Sequence, residues 1–320
     1  MRGETVTVES VVEPTGCEDQ EQDESVAVTV VMGSSMLILK GEDRQAQREV
    51  EVGGEQLYLA LVADGHGGKQ ASVHCANAVF DLLLDGLEAG PPTGAALQKA
   101  GMAAFLAAHE QMLADKSTTA GSTLTVCIVN STRNELTTLH AGDSVARLVT
   151  RMKGLALCDD HRIDSSEEER ERLVGLGGKL ARAMNQHGQP AGPLRLWPTN
   201  GPGVAQARAV GDRDVGAFID PTPTARTVEL PPSESCAVVL CSDGVWDAMF
   251  PNAVDAVVRS TIMLPPNIAA RLVCNAALCQ KHAFSAEGDE IPIDDTTVVV
   301  MRVEHPDDSL SAKGKACCQS

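Results

Sequence analysis

Apolar positions fall into short blocks with two different periods. VAVTVVMG and SMLILK near the start, LYLALVA at 57–63, STLTVCIVN at 122–130, ELTTLH at 135–140 and VARLVT at 145–150 are rich in β-branched and aliphatic residues and end in turn residues. VVLCSDG at 238–244 and TTVVVMRV at 296–303 have the same character, and all these runs predict strands. A second period marks helices. Val73, Ala76, Phe80, Leu83, Leu84 and Leu87 predict a helix over 70–86, with Gly86 and Gly90 near its end. Leu97, Ala104, Phe105, Ala108 and Met112 predict another over 95–114, and further helices fit 251–260 and 266–284. Ser166-x-x-Glu169 reads as a capping box that opens a short acidic helix, ended by Gly177-Gly178. Residues 183–204, rich in Gly and Pro, predict an excursion over the surface. Strands come in runs, with turn chemistry such as Arg133-Asn134 and Gly142-Asp143 between them, and helices come in pairs. That order argues for an α+β fold with helices stacked on antiparallel sheets, not a βαβ repeat.

Composition narrows the function classes. With 320 residues and 43% hydrophobic content the chain can bury a large core, and at 2% aromatics that core is aliphatic. A net charge of -18 speaks against a nucleic-acid groove, which needs clustered Lys and Arg. Ten cysteines without a C-x-x-C pair, among them Cys75, Cys127 and Cys241 in apolar surroundings, read as core thiols in a reducing, cytoplasmic compartment. Nuclear or peripheral membrane attachment is the alternative location. No apolar run reaches the ~18 residues that span a bilayer, and the N-terminus has no signal core. Residues 1–27 carry eight acids and one Arg and read as an acidic, disordered leader. Residues 28–303 read as one folded domain and 304–320 as a polar tail. Cys317, fourth from the end, stands where a prenylation box requires it, but with Cys318 and Gln319 in place of aliphatics it reads as a weak lipid anchor at best. Nothing demands more than a monomer.

One feature recurs along the chain. LYLALVA runs into Asp64-Gly65-His66-Gly67-Gly68, ELTTLHA into Gly142-Asp143, and AVVLCS into Asp243-Gly244. Asp294-Asp295 precedes a strand, and Glu42-Asp43 follows SMLILK. A single Asp-Gly is most often only a turn. Several, each closing an apolar strand, point to a shared site of oxygen ligands for hard cations such as Mg²⁺ or Mn²⁺.

These blocks resemble the type 2C metal-dependent Ser/Thr protein phosphatases, in order, from about residue 40 to 303. VADGHGG (62–68), AGSTLTV (120–126), HAGDS (140–144), DDHRIDSSEEERERL (159–173), LRLWPTNGPGVAQARAVGD (194–212), VVLCSDGVWDAM (238–249) and DDTTVVV (294–300) each look like a family block. The resemblance implies a four-layer αββα fold: a sandwich of two antiparallel β-sheets flanked by pairs of α-helices. It implies hydrolysis of phosphoserine and phosphothreonine in protein substrates by a metal-activated water, without a covalent phosphoenzyme. It places two cations at Glu42, Asp43, Asp64, the Gly65 carbonyl, Asp243 and Asp294, with Asp64 bridging. His66 becomes the acid for the leaving group, and Asp143 helps hold a third, weaker cation with Asp243. Arg208 and Asp212 fall in a block that supports the site.

Three departures stand out. Ile38 occupies the family's phosphate-binding Arg position. If strand alternation continues through residues 38, 40 and 42, Lys40 can supply that charge, as a point charge without the fork of Arg. Asp295 replaces an Asn, and Val145 an Arg. Two rival readings follow. Cys127-x5-Arg133 has the spacing of a cysteine-phosphatase loop but lacks its glycines and lies mid-strand. A catalytically weak or dead pseudophosphatase, acting as a binding or regulatory protein, is the alternative from a different class.

Overall fold

The computed structural model describes residues 28–199, 201–286 and 294–306, with side chains in the last helix described to residue 280. The 1–27 leader, residues 307–320 of the tail and Cys317 lie outside the described residues. Two five-stranded antiparallel sheets carry the fold. In spatial order the first is β1 (Thr29–Leu37), β15 (Thr296–Glu304), β14 (Cys236–Cys241), β8 (Ala146–Val149) and β9 (Gly154–Ala156). The second is β13 (Thr224–Glu229), β7 (Glu135–Ala141), β6 (Leu124–Asn130), β3 (Glu55–Ala63) and β2 (Arg44–Val52).

Alternation along β3 explains the layering. Leu57, Leu59 and Leu61 face one way, Ala60 and Val62 the other, and all are fully buried. The leucines pack under α1 (Gln70–Asp85) and α2 (Gly94–Ala114), against Val79, Leu83, Leu97 and Phe105. Ala60 and Val62 meet Leu148, Val238, Leu240, Val299 and Met301 of the first sheet. The outer face of that sheet, with Val239, Val298 and Val300, packs under α5 (Pro251–Ser260) and α6 (Pro266–Ala286). The result is the four-layer αββα arrangement, and strands buried on both faces account for the unbroken apolar runs.

The details differ from the pattern in instructive places. VAVTVVMG and SMLILK suggested two strands, yet β1 is one strand running through Gly33-Ser34-Ser35. Those small residues seat a helix: a Cβ at Gly33 would lie 2.3 Å from the Asn267 backbone nitrogen in α6. β1 stops at Leu37, so residues 38–43 form a bend, with Gly41 at φ 80, and the expected alternation of 38, 40 and 42 does not hold. β2 and β13 have polar or mixed sequences and were not legible as strands; both lie at the edges of their sheet. Residues 183–204 are not simply loop, because β10 (Lys179–Met184) and β11 (Pro190–Trp197) pair as a hairpin. A satellite core of Ile163, Leu173, Leu196, Val204, Ala207 and Ile219 holds it, with α3 (Glu167–Gly175) alongside. The capping box is half-made. Ser166 Oγ accepts from the Glu169 N–H at 3.3 Å, but the Glu169 carboxylate turns to Arg172 at 2.8 Å and Arg208 at 2.5 Å. Two cations outcompete one backbone N–H for it.

Candidate active site

Short strands at one end of the sandwich bring the sequence blocks together. β4 (Gly65–His66), β5 (Gly121–Ser122) and β12 (Val210–Gly211) form a three-stranded sheet. The helix α4 (Asp243–Trp246) starts at the end of β14. Gly65 cannot carry a side chain, since a Cβ there would lie 2.6 Å from the Glu42 carbonyl oxygen.

The bend after β1 is organised by Asp295. Its carboxylate accepts backbone N–H bonds from Leu39 (2.5 Å), Lys40 (2.7 Å), Gly41 (3.2 Å), Glu42 (2.7 Å) and Asp43 (3.0 Å). Burial pushes this carboxyl up, but the N–H groups of Asp43, Leu39, Gly41 and Lys40 outweigh it and hold the pKa at about 2. The Asp-for-Asn replacement is therefore functional in the fold. Two anionic oxygens divide five donors, which an amide with one acceptor oxygen could not match.

Glu42 and Asp43 thereby face the strand ends. A cleft of about 550 Å³ is lined by Lys40, Glu42, Asp64, Gly65, His66, Asp143, Asp243 and Asp294, so eight residues picked from sequence share one cavity. Asp43 lies just beneath, buried, and accepts from Thr297 Oγ1 at 2.7 Å. Asp64 touches Asp43 on one side and Asp243 on the other. Burial pushes the Asp43 carboxyl up to about 6 despite the Thr297 and Ser242 hydroxyls. Burial, then the charges of Asp143, Asp247 and Asp294, pushes Asp243 up to about 7. Burial and the neighbouring Asp243 and Asp43 raise Asp64 well above the usual carboxylate range. The buried Asp243 Oδ1 has no hydrogen-bond partner.

Acids outnumber cationic side chains in this arrangement. Lys40 Nζ meets Asp294 Oδ2 at 2.7 Å, and Arg162 sits against Asp143 and Asp247. Among the described residues no group of three His, Cys, Asp or Glu side chains is splayed as a ready ligand shell. The carboxylates lean on one another and on the two cationic side chains instead. Their chemistry nonetheless fits hard divalent cations: the donors are all oxygens, and their mutual repulsion is what a cation relieves.

His66 is held from two sides. Its Nε2 lies 2.7 Å from Asp212 Oδ1, and the Gln206 amide nitrogen lies 2.9 Å from Nδ1. Burial opposes the charged imidazole, but Asp212 prevails and the net shift is upward. Asp212 has φ 55, unusual for a residue with a side chain, and its carboxylate occupies the space a Cβ on Gly121 would need. Of the supporting block, Asp212 thus touches the site, whereas Arg208 pairs with Glu169 and the Thr222 carbonyl.

Sequence reasoning missed Arg162, Asp247, Gln206, Arg182 and Arg195, all lining the cleft. Asp247 had a local signal, one helical turn after Asp243. The hairpin arginines had none. Behind the Asp143 loop the His140 and His161 rings stack at 4.8 Å. Burial pushes their pKa values down to about 4 and about 2, so both are neutral packing groups. Cys127 is buried in β6 with its thiol pushed up to about 12 by burial, which removes the cysteine-nucleophile reading.

A family profile described as Protein phosphatase 2C matches residues 42–283. Probable protein phosphatase 2C 40 of Oryza sativa subsp. japonica is 31% identical over 288 residues, covering 87% of this chain and 58% of that protein. Probable protein phosphatase 2C 5 of Arabidopsis thaliana is 31% identical over 287 residues, covering 86% of this chain and 62% of that protein. The chain therefore spans about three fifths of the length of these relatives. The serine-threonine phosphatase 2C from Toxoplasma gondii superposes with a TM-score of 0.68 at 16% identity, over 87% of this chain and 95% of that one. A C. elegans sex determining protein gives 0.69 at 22% identity, over 85% of this chain and 64% of that one, and both likenesses concern the fold alone. Among the described residues no helix is long and apolar enough to cross a membrane. The matched span covers well over half of the chain and takes in most of the cleft's acidic residues, and on that ground the chain belongs to the protein phosphatase 2C family.

Proposed function

We propose that this chain hydrolyses phosphoserine and phosphothreonine in proteins with the help of two divalent cations, Mg²⁺ or Mn²⁺. The observation that carries this reading is the convergence of Glu42, Asp43, Asp64, Asp243 and Asp294, from four separate stretches of chain, on one cleft beside His66. Those carboxylates and the Gly65 carbonyl would hold the cations, which when bound supply charge neutralisation and a water of lowered pKa.

The chain's own residues account for the other requirements. The leaving alkoxide of Ser or Thr needs a proton. His66 can deliver one from the cleft wall, because Asp212 stabilises its charged form and keeps it protonated to higher pH. Lys40, half-exposed and 2.7 Å from Asp294, places a positive charge at the cleft rim, where it can stand in for the Arg absent at Ile38. Arg182 and Arg195 line the same cleft and suit an anionic substrate. An acidic cluster that is costly to bury favours the enzyme over a dead binding module, because bound cations would offset that cost.

The test is release of p-nitrophenol from its phosphate ester in Mn²⁺, and dephosphorylation of a phosphothreonine peptide, both abolished by EDTA. Binding of the phosphopeptide without any Mn²⁺-dependent turnover would replace the enzyme reading with the pseudophosphatase one.

A further inference from the structure

We infer that Arg162 is a built-in cation filling the space between Asp143, Asp243 and Asp247, so that a third divalent ion can bind there only by displacing it. The inference rests on the two-cation reading above for the rest of the cleft. It departs from what the family resemblance led one to expect of Asp143.

The guanidinium reaches all three acids. Nε donates to Asp143 Oδ2 at 2.8 Å, one terminal nitrogen lies 2.7 Å from Asp247 Oδ1, and the other lies 3.9 Å from Asp243 Oδ2. Its side chain is 30% exposed and Asp143 only 10%, so that pair is shielded more than a surface ion pair is, whereas Asp247 is 41% exposed. Burial alone would weaken the charge on Arg162. Asp143 and Asp247 more than reverse that and drive its pKa further up. A guanidinium keeps its charge at every accessible pH, so protons cannot clear it from the position.

The backbone locks Arg162 to the loop that carries Asp143. The His161 N–H donates to the Gly142 carbonyl at 3.3 Å, and the Gly142 N–H donates to His161 Nδ1 at 3.1 Å. His161 in turn stacks on His140 in the strand leading into that loop. Arg162 therefore moves with Asp143 and cannot drift away from it as a free surface arginine would. Its side chain already lines the cleft, so rotation into the cleft frees the position. One monovalent charge against three carboxylates leaves the position net negative. A divalent ion can therefore compete, but only against a tethered group at very high effective concentration.

The experiment counts bound Mn²⁺ per chain from the electron paramagnetic resonance signal of the free ion. Wild type, R162A and R162Q are titrated to millimolar Mn²⁺, with circular dichroism to establish that each is folded. R162Q keeps the volume and removes the charge, and it serves if R162A does not fold. The expected result is one additional ion per chain in the variants, lost again when D247N is combined with either. An identical count in wild type and a folded variant overturns the assignment of Arg162, whatever that count is. A wild-type count below two overturns instead the two-cation reading of the cleft, whatever the difference between the proteins.

Discussion

The floor and the roof line the same cleft but are held by opposite physics. The floor is set at strand ends between two sheets, where Asp43 is 2% exposed and the acids repel one another. The roof is the β10–β11 hairpin, mostly exposed, carried by a small core around Leu173 and Leu196. Arg182 is tied to Asp164 at 2.7 Å and Arg195 to the Gly203 carbonyl at 2.9 Å. The lesson is that the deeply buried part of the cleft carries an excess of acids, while the exposed part presents arginines held by one acid and one carbonyl. On the two-cation proposal the floor is the part that cations would complete.

The sharpest way to break this comparison is at Asp64. Asp64→Asn removes the charge shared between Asp43 and Asp243 and is expected to lower kcat by at least about 10²–10³, the scale of losing one electrostatic stabiliser, with the circular dichroism spectrum unchanged. Retained turnover would place the chemistry elsewhere.

Next in size is the response of stability to cations and pH. With Asp43 raised to about 6 and Asp243 to about 7, the folded metal-free chain keeps protons that the unfolded chain has released above about pH 4. Bound protons then favour the folded state, so this contribution to stability is full at about pH 4 and is lost as pH rises to 7. Mn²⁺ should restore it at pH 8, by about 2.7 kcal/mol at a hundredfold excess over Kd, and restore less at pH 5, where protons compete. Differential scanning calorimetry with and without Mn²⁺ reads both. A melting temperature at pH 8 indifferent to Mn²⁺ would mean the floor is self-sufficient.

Asp212→Asn probes the edge of the floor. It should lower kcat by about 10–100-fold with little change in KM, and move the alkaline limb of the pH–rate profile to lower pH, because His66 loses the partner that keeps it charged. An unmoved limb would remove His66 as the proton donor. The smallest effect belongs to the roof. Arg195→Ala should raise KM for an acidic phosphopeptide severalfold and leave kcat for p-nitrophenyl phosphate and the Mn²⁺ response as they were. An altered Mn²⁺ response would join roof and floor into one unit.

Much of this was legible in the chain. α1 and α2 begin and end within a residue of the periodicity, because each buries one continuous stripe against a sheet. Asp64, Asp143 and Asp243 announced themselves as the residues where apolar runs stop. β2 and β13 were hidden because edge strands carry polar residues on exposed positions. Lys40 reached the cleft for a reason other than the one sequence suggested. The Asp295 carboxylate gathers the backbone of residues 39–43 into a bend, and strand alternation has no part in it.

By itself the sequence determined the apolar core strands, the helix pairs and most of the cleft's acids, since period and turn chemistry are local properties that each segment carries with it. Only the tertiary structure decided who faces whom: Asp212 behind His66, Arg162 among three carboxylates, and the hairpin arginines over the cleft. Those partners lie up to 146 residues apart, and no local rule relates them. Charge pairing is settled by which strand ends the packed sheets bring side by side.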